Sequence, residues 1–479
     1  MKKIISLVLA AILVFSLFVP ASAAAETEVK TNSEPLVVVR GIDFAGLVKE
    51  DGSKALSFDP FDIFNLILDM GTYKMRRDKD AAAKAIVNFG NNLFSDLACD
   101  NEGNPANAGV TIPKFLAPAS ELDLSGDEWA DTAVGLFRSL SKVYDADQVY
   151  LYTFDWRLSP SALADDLKSF LDMVVADTGA TKLDVAACSM GGMITTAYID
   201  KYGADIFDTV AYLSSAHNGV DVVGSAFTGD LTIDGNVLTD FLVGKIGSNF
   251  FLKIIIKILD FLGIIDSLAN FVNDVIVTYK DMIYDDFLCE TFATAFGLWG
   301  LVPDEYFDDA VELFYGDKEG YDAAREEIAE IKEFVTSTED IMAELMATDV
   351  KVSFVSHYNR EQLPIYSKAY LHGDGVIESA RTSLGGTFAN YGATLTDEQI
   401  AGVADEYISP DKVVNASTCL YADRTWIVNG AKHVGCKDGS DHTEFAIWLL
   451  TQDTQPTVYT NPDYPRFLKV DANENFIGF

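Results

Sequence analysis

The stretch LDVAACSMGGM, residues 183–193, decides which fold this chain can adopt. Its apolar first half predicts a buried strand, and a helix is predicted to start near Gly191. Ser189 stands at the junction. It is either an ordinary serine in a glycine-rich connection or a nucleophile raised on a strained elbow. Ala187 opens the motif where glycine is usual. Because an elbow exposes only its central residue, we expect Cys188 to be buried and inert.

The segments around this stretch predict an α/β fold. A helix is predicted from residue 161 to Gly179, since helices tend to end at glycine. Short apolar runs that alternate with helices of a dozen or more residues are typical of a parallel sheet covered on both faces. We therefore predict a mostly parallel sheet flanked by helices. Its strands are predicted directly after Pro35 and at residues 148–154, 183–187, 209–213, 350–359 and 425–428.

Composition excludes some functions and permits a large core. The chain has 479 residues, 49% of them hydrophobic, which is ample for extensive burial. It carries 35 basic and 73 acidic side chains, a formal charge of −38 that repels phosphate backbones and argues against nucleic-acid binding. The five cysteines match no metal-binding pattern. Cys419 and Cys436 are the nearest pair, but spacing alone does not establish a disulfide.

The first residues have the pattern of a secretory signal. Lys2 and Lys3 precede an apolar run over residues 4–19, and the small residues 21–23 form a cleavage box. We predict a signal peptide over residues 1–23 and a secreted protein. The alternative is an uncleaved membrane anchor.

The pattern changes between residues 219 and 346, where apolar residues recur at helical spacing. Charged residues such as Lys253 and Asp260 interrupt this segment, which argues against a membrane span. It is either a buried helical subdomain or a cap over an apolar substrate pocket. We assign residues 24–218 and 347–479 to the core and residues 219–346 to a large helical cap or lid insertion.

A nucleophilic serine needs a base, which in this topology comes last along the chain. Of the five histidines, His217 comes too early and His357 lies inside a predicted strand. His433 follows a predicted strand, where its ring could reach back to Ser189. His442 is predicted in the first turn of the next helix, where a histidine is commonly exposed. We therefore favour His433 as the base.

The base in turn needs a carboxylate that fixes its tautomer and stabilises the imidazolium. Asp374 lies in a glycine-flanked turn after an extended segment, which places it between nucleophile and base in the chain. Such an aspartate is often only a turn former. Glu378 and Asp405 are the alternatives. His372 precedes Asp374 too closely to act as its base.

An oxyanion site requires two preorganised backbone N–H donors. Met190, directly after the nucleophile, should supply one. Ile42, in the turn after the first strand, should supply the other, with Asp43 or Phe44 as alternatives. The carboxylate of Asp43 would oppose a developing anion, so we expect it to turn away and pair with Arg40.

Several stretches together resemble α/β-hydrolases of the lipase and lecithin:cholesterol acyltransferase-like type. The most particular is FDWRLSP, because that family carries a Tyr/Phe-Asp-Trp-Arg segment ahead of its nucleophile. GLWGLVPDEYF, residues 297–307, is similar to the end of a lipase cap. The other matching stretches are VVVRGI, ACSMGGM, GDGVIESA and KHVG.

The resemblance implies that Ser189, Asp374 and His433 act as nucleophile, acid and base, with Met190 and Ile42 as oxyanion donors. The chain departs from the family at Arg40, where His or Pro is frequent, at Cys188, where His is common, and in its unfamiliar cap. We further expect the substrate site to include Asp43, Phe44, Trp156 and His217.

These features predict a secreted serine hydrolase that cleaves carboxylic esters, with lipids as the expected substrates, through an acyl-enzyme. The chemistry requires no metal and no organic cofactor. One alternative is acyl transfer to an alcohol, as in lecithin:cholesterol acyltransferase-like enzymes. Another is a non-catalytic hydrolase-like scaffold that binds lipid or a partner. The three triad residue types in the expected order favour an enzyme.

Overall fold

The computed structural model describes residues 34–479 apart from 45, 57–59, 127–128, 131, 246–256 and 258–259. The predicted signal peptide, residues 1–23, lies outside the described residues, as does Lys253 of the predicted cap.

Parallel strands form the centre of the fold. The described strands are β1 (Leu36–Val39), β2 (Val149–Tyr152), β3 (Leu183–Cys188), β4 (Phe207–Leu213), β5 (Lys351–Tyr358), β6 (Thr387–Phe388), β7 (Val414–Asn415), β8 (Thr425–Asn429) and β9 (Phe467–Lys469). Among the described residues, seven strands make one sheet in the order β2-β1-β3-β4-β5-β8-β9, and every pairing in it is parallel. The separate antiparallel pair β6–β7 lies outside this sheet.

Helices make up much of the remaining described chain, and the predicted helix that ends at Gly179 is observed as α4, Pro160–Thr178. The helices are α1 (Pro60–Arg76), α2 (Lys79–Phe94), α3 (Thr132–Val143), α4 (Pro160–Thr178), α5 (Met190–Tyr202), α6 (Asp221–Thr228), α7 (Gly235–Lys245), α8 (Ile264–Thr278), α9 (Lys280–Ile283), α10 (Cys289–Phe292), α11 (Phe296–Trp299), α12 (Phe307–Phe314), α13 (Asp322–Thr336), α14 (Thr338–Met346), α15 (Ser379–Thr382), α16 (Asp397–Ile400) and α17 (Asp441–Leu450). A π-helical turn, Tyr284–Leu288, joins α9 to α10.

Both faces of the sheet are buried, as the continuous apolar strands predict. Successive side chains of a strand point to opposite faces. Val37 and Val39 of β1 accordingly join one core cluster, whereas Leu36 and Val38 join another. Helices α4 and α5 cover the first face, and α3 and α17 cover the second. The prediction of an α/β fold with a mostly parallel sheet flanked by helices is confirmed.

A smaller cluster lies apart from these two. Met70 of α1 and Ala82 and Ala83 of α2 pack there with Val275 of α8. The α1–α2 pair therefore packs against a helix of the predicted cap, although the sequence assigns it to the core. Conversely, α14 at the end of the predicted cap packs against the core helix α5. Within the part of the chain that the structure describes, no helix combines the length and the apolar character needed to cross a bilayer.

The elbow depends on close backbone contact between α5 and β1. A Cβ atom at Gly191 would lie only 2.3 Å from the carbonyl oxygen of Val39 and 2.6 Å from that of Arg40. Both are backbone atoms, so the contact cannot be relieved by rotating a side chain. Gly191 therefore lets α5 start directly beside β1.

Replacing Gly191 with alanine should lower the free energy of unfolding by about 1–3 kcal/mol, because the added methyl group forces α5 away from β1. Urea unfolding measures this. Gly71→Ala is the matched control: this helical position in α1 has open space around it, so alanine should raise the free energy of unfolding by about 0.5–1 kcal/mol. Equal stability of the two variants would contradict this packing.

Candidate active site

Ser189 occupies a strained turn between β3 and α5. Its backbone has φ 55° and ψ −126°, values that residues other than glycine rarely adopt. Its amide donates to the Leu213 carbonyl over 3.2 Å, and its carbonyl accepts from Ala216 over 3.0 Å and from Gly192 over 2.9 Å. Such strain costs about 1–3 kcal/mol and persists only where the surroundings hold it. β4 and the loop after it provide this support.

Three side chains that are distant along the chain meet at this turn. His433 Nε2 lies 2.8 Å from Ser189 Oγ, and His433 Nδ1 lies 2.7 Å from Asp374 Oδ2. The Asp374 side chain is fully buried, while that of His433 keeps 21% exposure. The other oxygen of Asp374 accepts from the amides of Val376 (2.9 Å) and Ile377 (2.8 Å). Both carboxylate oxygens are therefore fixed.

This geometry suits proton transfer from the serine hydroxyl. With Nδ1–H donated to Asp374, the imidazole presents the lone pair of Nε2 to Ser189 Oγ. The carboxylate also stabilises the imidazolium that forms when Nε2 takes the proton. Ser189, His433 and Asp374 thus satisfy the distance requirements of a nucleophile, its base and an orienting acid.

The predicted oxyanion donors lie beside the serine. Met190 is the first residue of α5, so no preceding helical turn offers a carbonyl to its amide. Ile42 follows β1, the strand next to β3. Both line the same cavity as Ser189. Two amides near the serine are the chemical requirement for binding a tetrahedral oxyanion.

The cavity against Ser189 has a volume of about 510 Å³ and an almost wholly apolar wall. Ser189 contributes the single polar side chain among the described residues that line it. The remaining wall comes from three regions. Ile42 and Val376 belong to the loops around the triad, Phe94 to α2, and Phe227 and Phe292 to the predicted cap.

Of the predicted substrate-site residues, Phe44 lines the cavity and Asp43 does not. Asp43 forms an ion pair with Arg40 at 2.8 Å, as expected from its charge. Trp156 lies behind the wall with its ring 4.9 Å from that of Phe44. The structure therefore gives Trp156 a supporting place: it contacts Phe44, which lines the cavity, and does not itself line it.

His217 also lies outside the cavity wall. Its ring packs against Tyr212 and Phe354, with centroids 4.8 and 5.4 Å away. It is 2% exposed, and neither ring nitrogen has a hydrogen-bond partner among the described residues. Burial lowers the pKa of His217 to about 3, so the ring is neutral. The preceding residue, Ala216, lines the cavity instead.

The Phe-Asp-Trp-Arg segment is a buried support for this wall. Arg157 is fully buried and binds Asp155 through Nε at 2.9 Å and Nη2 at 2.6 Å. Nη2 also donates to the Val110 carbonyl over 2.9 Å. The charged pair fixes the loop that carries Trp156, whose ring supports Phe44.

The alternative acids lie elsewhere. Glu378 is buried and accepts from the hydroxyl of Tyr366 and from the amide of Asp221. Burial, together with the charge of Asp221, raises the pKa of Glu378 to about 7. Asp405 is exposed at the start of a short 3₁₀ turn. Asp374 contacts the ring of His433, whereas Glu378 and Asp405 have other surroundings.

The expectation that His442 is exposed is wrong. His442 is indeed in the first turn of α17, but it is 1% exposed and bonds to His357. One apolar face of α17 packs on the sheet, and the first turn of the helix is buried there as well. Cys188 is fully buried as expected, and burial raises the pKa of its thiol to about 12. All five cysteines are free, so Cys419 and Cys436 form no disulfide.

Comparisons with known proteins find little similarity. No protein-family model matches the chain, and no curated protein matches it. Among solved structures, a chain from the crystal structure of the Tle4–Tli4 complex is similar, with 11% sequence identity and a TM-score of 0.35. The match covers 88% of this chain and 98% of that chain. Similarity at this level does not assign the chain to a family.

Replacing His217 with leucine should reduce the acid sensitivity of the fold. Below pH 6.5 the unfolded chain binds a proton at this histidine that the folded protein, with its pKa of about 3, does not. Stability from this group is therefore fully present above pH 6.5 and is lost as the pH falls toward 3. The variant should lack this slope of about 1.4 kcal/mol per pH unit.

Urea unfolding at several pH values between 6.5 and 5 measures the slope. Tyr212→Phe, in the same stack of rings, is the control, because tyrosine does not titrate in this range. Its slope should equal that of the wild type. Parallel curves for wild type and His217→Leu would show that the histidine is protonated in the folded state.

Proposed function

We propose that this protein is a secreted serine hydrolase that cleaves carboxylic esters, with lipids as its substrate class. The observation that carries the proposal is the contact of Ser189 Oγ with His433 Nε2 at 2.8 Å, next to an apolar cavity. The order Ser189, Asp374, His433 along the chain is that of α/β-hydrolases. The parallel sheet with an elbow after β3 is consistent with that fold.

In the proposed reaction, Ser189 Oγ attacks the ester carbonyl carbon while its proton moves to His433 Nε2. The carbonyl oxygen becomes an oxyanion, which the amides of Met190 and Ile42 bind. The intermediate collapses when the carbon–oxygen bond to the alcohol breaks, and the imidazolium returns the proton to that leaving oxygen. Water then repeats the sequence on the acyl-enzyme and releases the acid.

The cavity wall supports the substrate class. A carbon chain that enters this space meets apolar side chains throughout, and each buried methylene contributes about 0.8 kcal/mol. A charged or strongly polar group would lose its hydration with no partner in the described wall. The part bound there should therefore be the acyl chain, with the carbonyl at Ser189.

Residues of the region 219–346 form much of the described wall, which supports the proposal that this region is a cap. The proposed cap acts together with α1 and α2, because Leu93 and Phe94 of α2 line the same cavity and the α1–α2 pair packs against α8. We include secretion in the proposal because the first 23 residues have the pattern of a signal peptide.

Ser189→Ala should reduce kcat for p-nitrophenyl butyrate by about 10⁴–10⁶-fold, because no other group replaces the attacking oxygen. Cys188→Ala is the control for the neighbouring thiol and should retain turnover. Initial rates of p-nitrophenol release, followed by absorbance, give kcat for the two folded variants. If Cys188→Ala loses turnover and Ser189→Ala retains it, the nucleophile is the thiol of Cys188 and not the hydroxyl of Ser189.

The value of kcat/KM should rise with acyl length from acetate through hexanoate, by about fourfold per methylene. The physical reason is that each added methylene leaves water for the apolar cavity. Monomeric p-nitrophenyl esters below their aggregation limit provide the series, and Ser189→Ala gives the background rate. A preference for acetate would contradict an acyl chain in this cavity.

A further inference from the structure

A buried histidine pair lies beneath the loop that carries His433. His357, on β5, and His442, on α17, are 0% and 1% exposed. Their Nε2 atoms lie 3.1 Å apart, and the rings meet nearly edge to face at a centroid distance of 4.8 Å. The sequence prediction gave neither residue a role.

The outer nitrogen of each ring faces the backbone of that loop. His357 Nδ1 lies 2.8 Å from the carbonyl oxygen of Lys432, and His442 Nδ1 lies 3.0 Å from that of Gly435. These carbonyls flank His433 on its two sides. The pair therefore contacts the loop immediately before and shortly after the residue whose ring reaches Ser189.

The loop is one that must be held in place. Val434, directly after His433, has φ 61°, a conformation that is strained for a β-branched residue. Gly435 has φ 67°, and a Cβ atom there would lie 2.9 Å from the ring of His442 and 3.1 Å from that of His357. The backbone thus lies directly on both imidazoles.

Burial keeps both rings neutral, since it lowers the pKa of His442 to about 4 and the pKa of His357 well below its usual range. Each neutral ring carries one N–H, so the pair has two donors. Three contacts compete for them: the contact between the two Nε2 atoms and the contacts with the carbonyls of Lys432 and Gly435. Ser214 Oγ, 3.0 Å from His357 Nδ1, can donate when that nitrogen is unprotonated. When the rings bond through their Nε2 atoms, the ring that accepts there carries its proton on Nδ1, so one of the two loop carbonyls receives a hydrogen bond from the pair. The Ser214 hydroxyl favours the arrangement in which His357 Nδ1 accepts and His442 Nδ1–H donates to the Gly435 carbonyl.

We propose that His357 and His442 are positioning residues for His433: His442 Nδ1–H donates to the Gly435 carbonyl, His357 Nε2–H holds the His442 ring, and the pair so fixes the His433 ring between Asp374 and Ser189. This inference rests on the proposed hydrolase function, because it assigns the pair a part in that reaction. Neither histidine contacts the cavity in which the ester would bind. The expected consequence of losing the contact is therefore a fall in kcat with little change in KM.

Three substitutions at His442 separate positioning from stability. An asparagine amide can occupy the place of Nδ1 and donate to the Gly435 carbonyl, whereas a glutamine amide reaches the place of Nε2 and faces His357. Leucine supplies no donor. We expect His442→Asn to keep kcat within about threefold of the wild type, and His442→Gln and His442→Leu to lose about 10- to 100-fold.

Stability should follow a different order, because asparagine is the smallest of the three replacements and leaves the largest cavity. Urea unfolding of each variant establishes this order, and p-nitrophenyl butyrate turnover gives kcat and KM. Phe445→Leu is the matched control on the same helix. It removes packing next to His442 without removing a donor to the loop, so it should be less stable but keep kcat within about twofold.

The possible results distinguish the two proposals. If kcat falls in the order of stability, with His442→Asn the least active, or if His442→Leu keeps the wild-type kcat, the positioning role is wrong and the hydrolase function stands. If the wild type shows no ester turnover at all, both proposals fail. Loss of kcat in His442→Gln and His442→Leu, with recovery in His442→Asn, supports the positioning role.

Discussion

The site depends on a strained turn at Ser189, which leaves its side chain next to the His433 ring. An isolated peptide would not hold φ 55° at this serine, because a side chain there clashes with its own backbone. Parallel strands on both sides of β3 hold it, and a helix starts at the next residue. The apolar core thus offsets the cost of holding one hydroxyl in a fixed direction.

The same sheet explains why distant residues meet. Parallel strands end at one edge, so the loops after β3, β5 and β8 deliver Ser189, Asp374 and His433 to a common place. The chain order of the three is then a consequence of topology. The apolar wall adds a second condition: among the described residues that line the cavity, no other polar side chain competes with His433 for the proton of Ser189.

Six of the seven strands of the main sheet and the three candidate triad residues could be predicted from sequence, because apolar runs, glycines and chain order carry that information locally. The short strands β6, β7 and β9 are absent from the prediction. The packing around the candidate site could not be predicted in this way. Trp156 and His217 were expected in the substrate site, yet each lies one layer behind it, and a single sequence does not show such depth. His442 was expected at the surface because it opens a helix. Only the packing of α17 on the sheet reveals that its first turn is buried against His357.

The proposed reaction requires Ser189 to act as a nucleophile whose proton passes to His433. The most direct measurement is peptide mass spectrometry of the folded protein after reaction with a fluorophosphonate, which bonds covalently to activated serines. We expect one phosphonylated residue, Ser189, and no adduct in protein unfolded by urea before the reagent is added. An unmodified Ser189 in the folded protein, or an equal adduct in the unfolded protein, would contradict it.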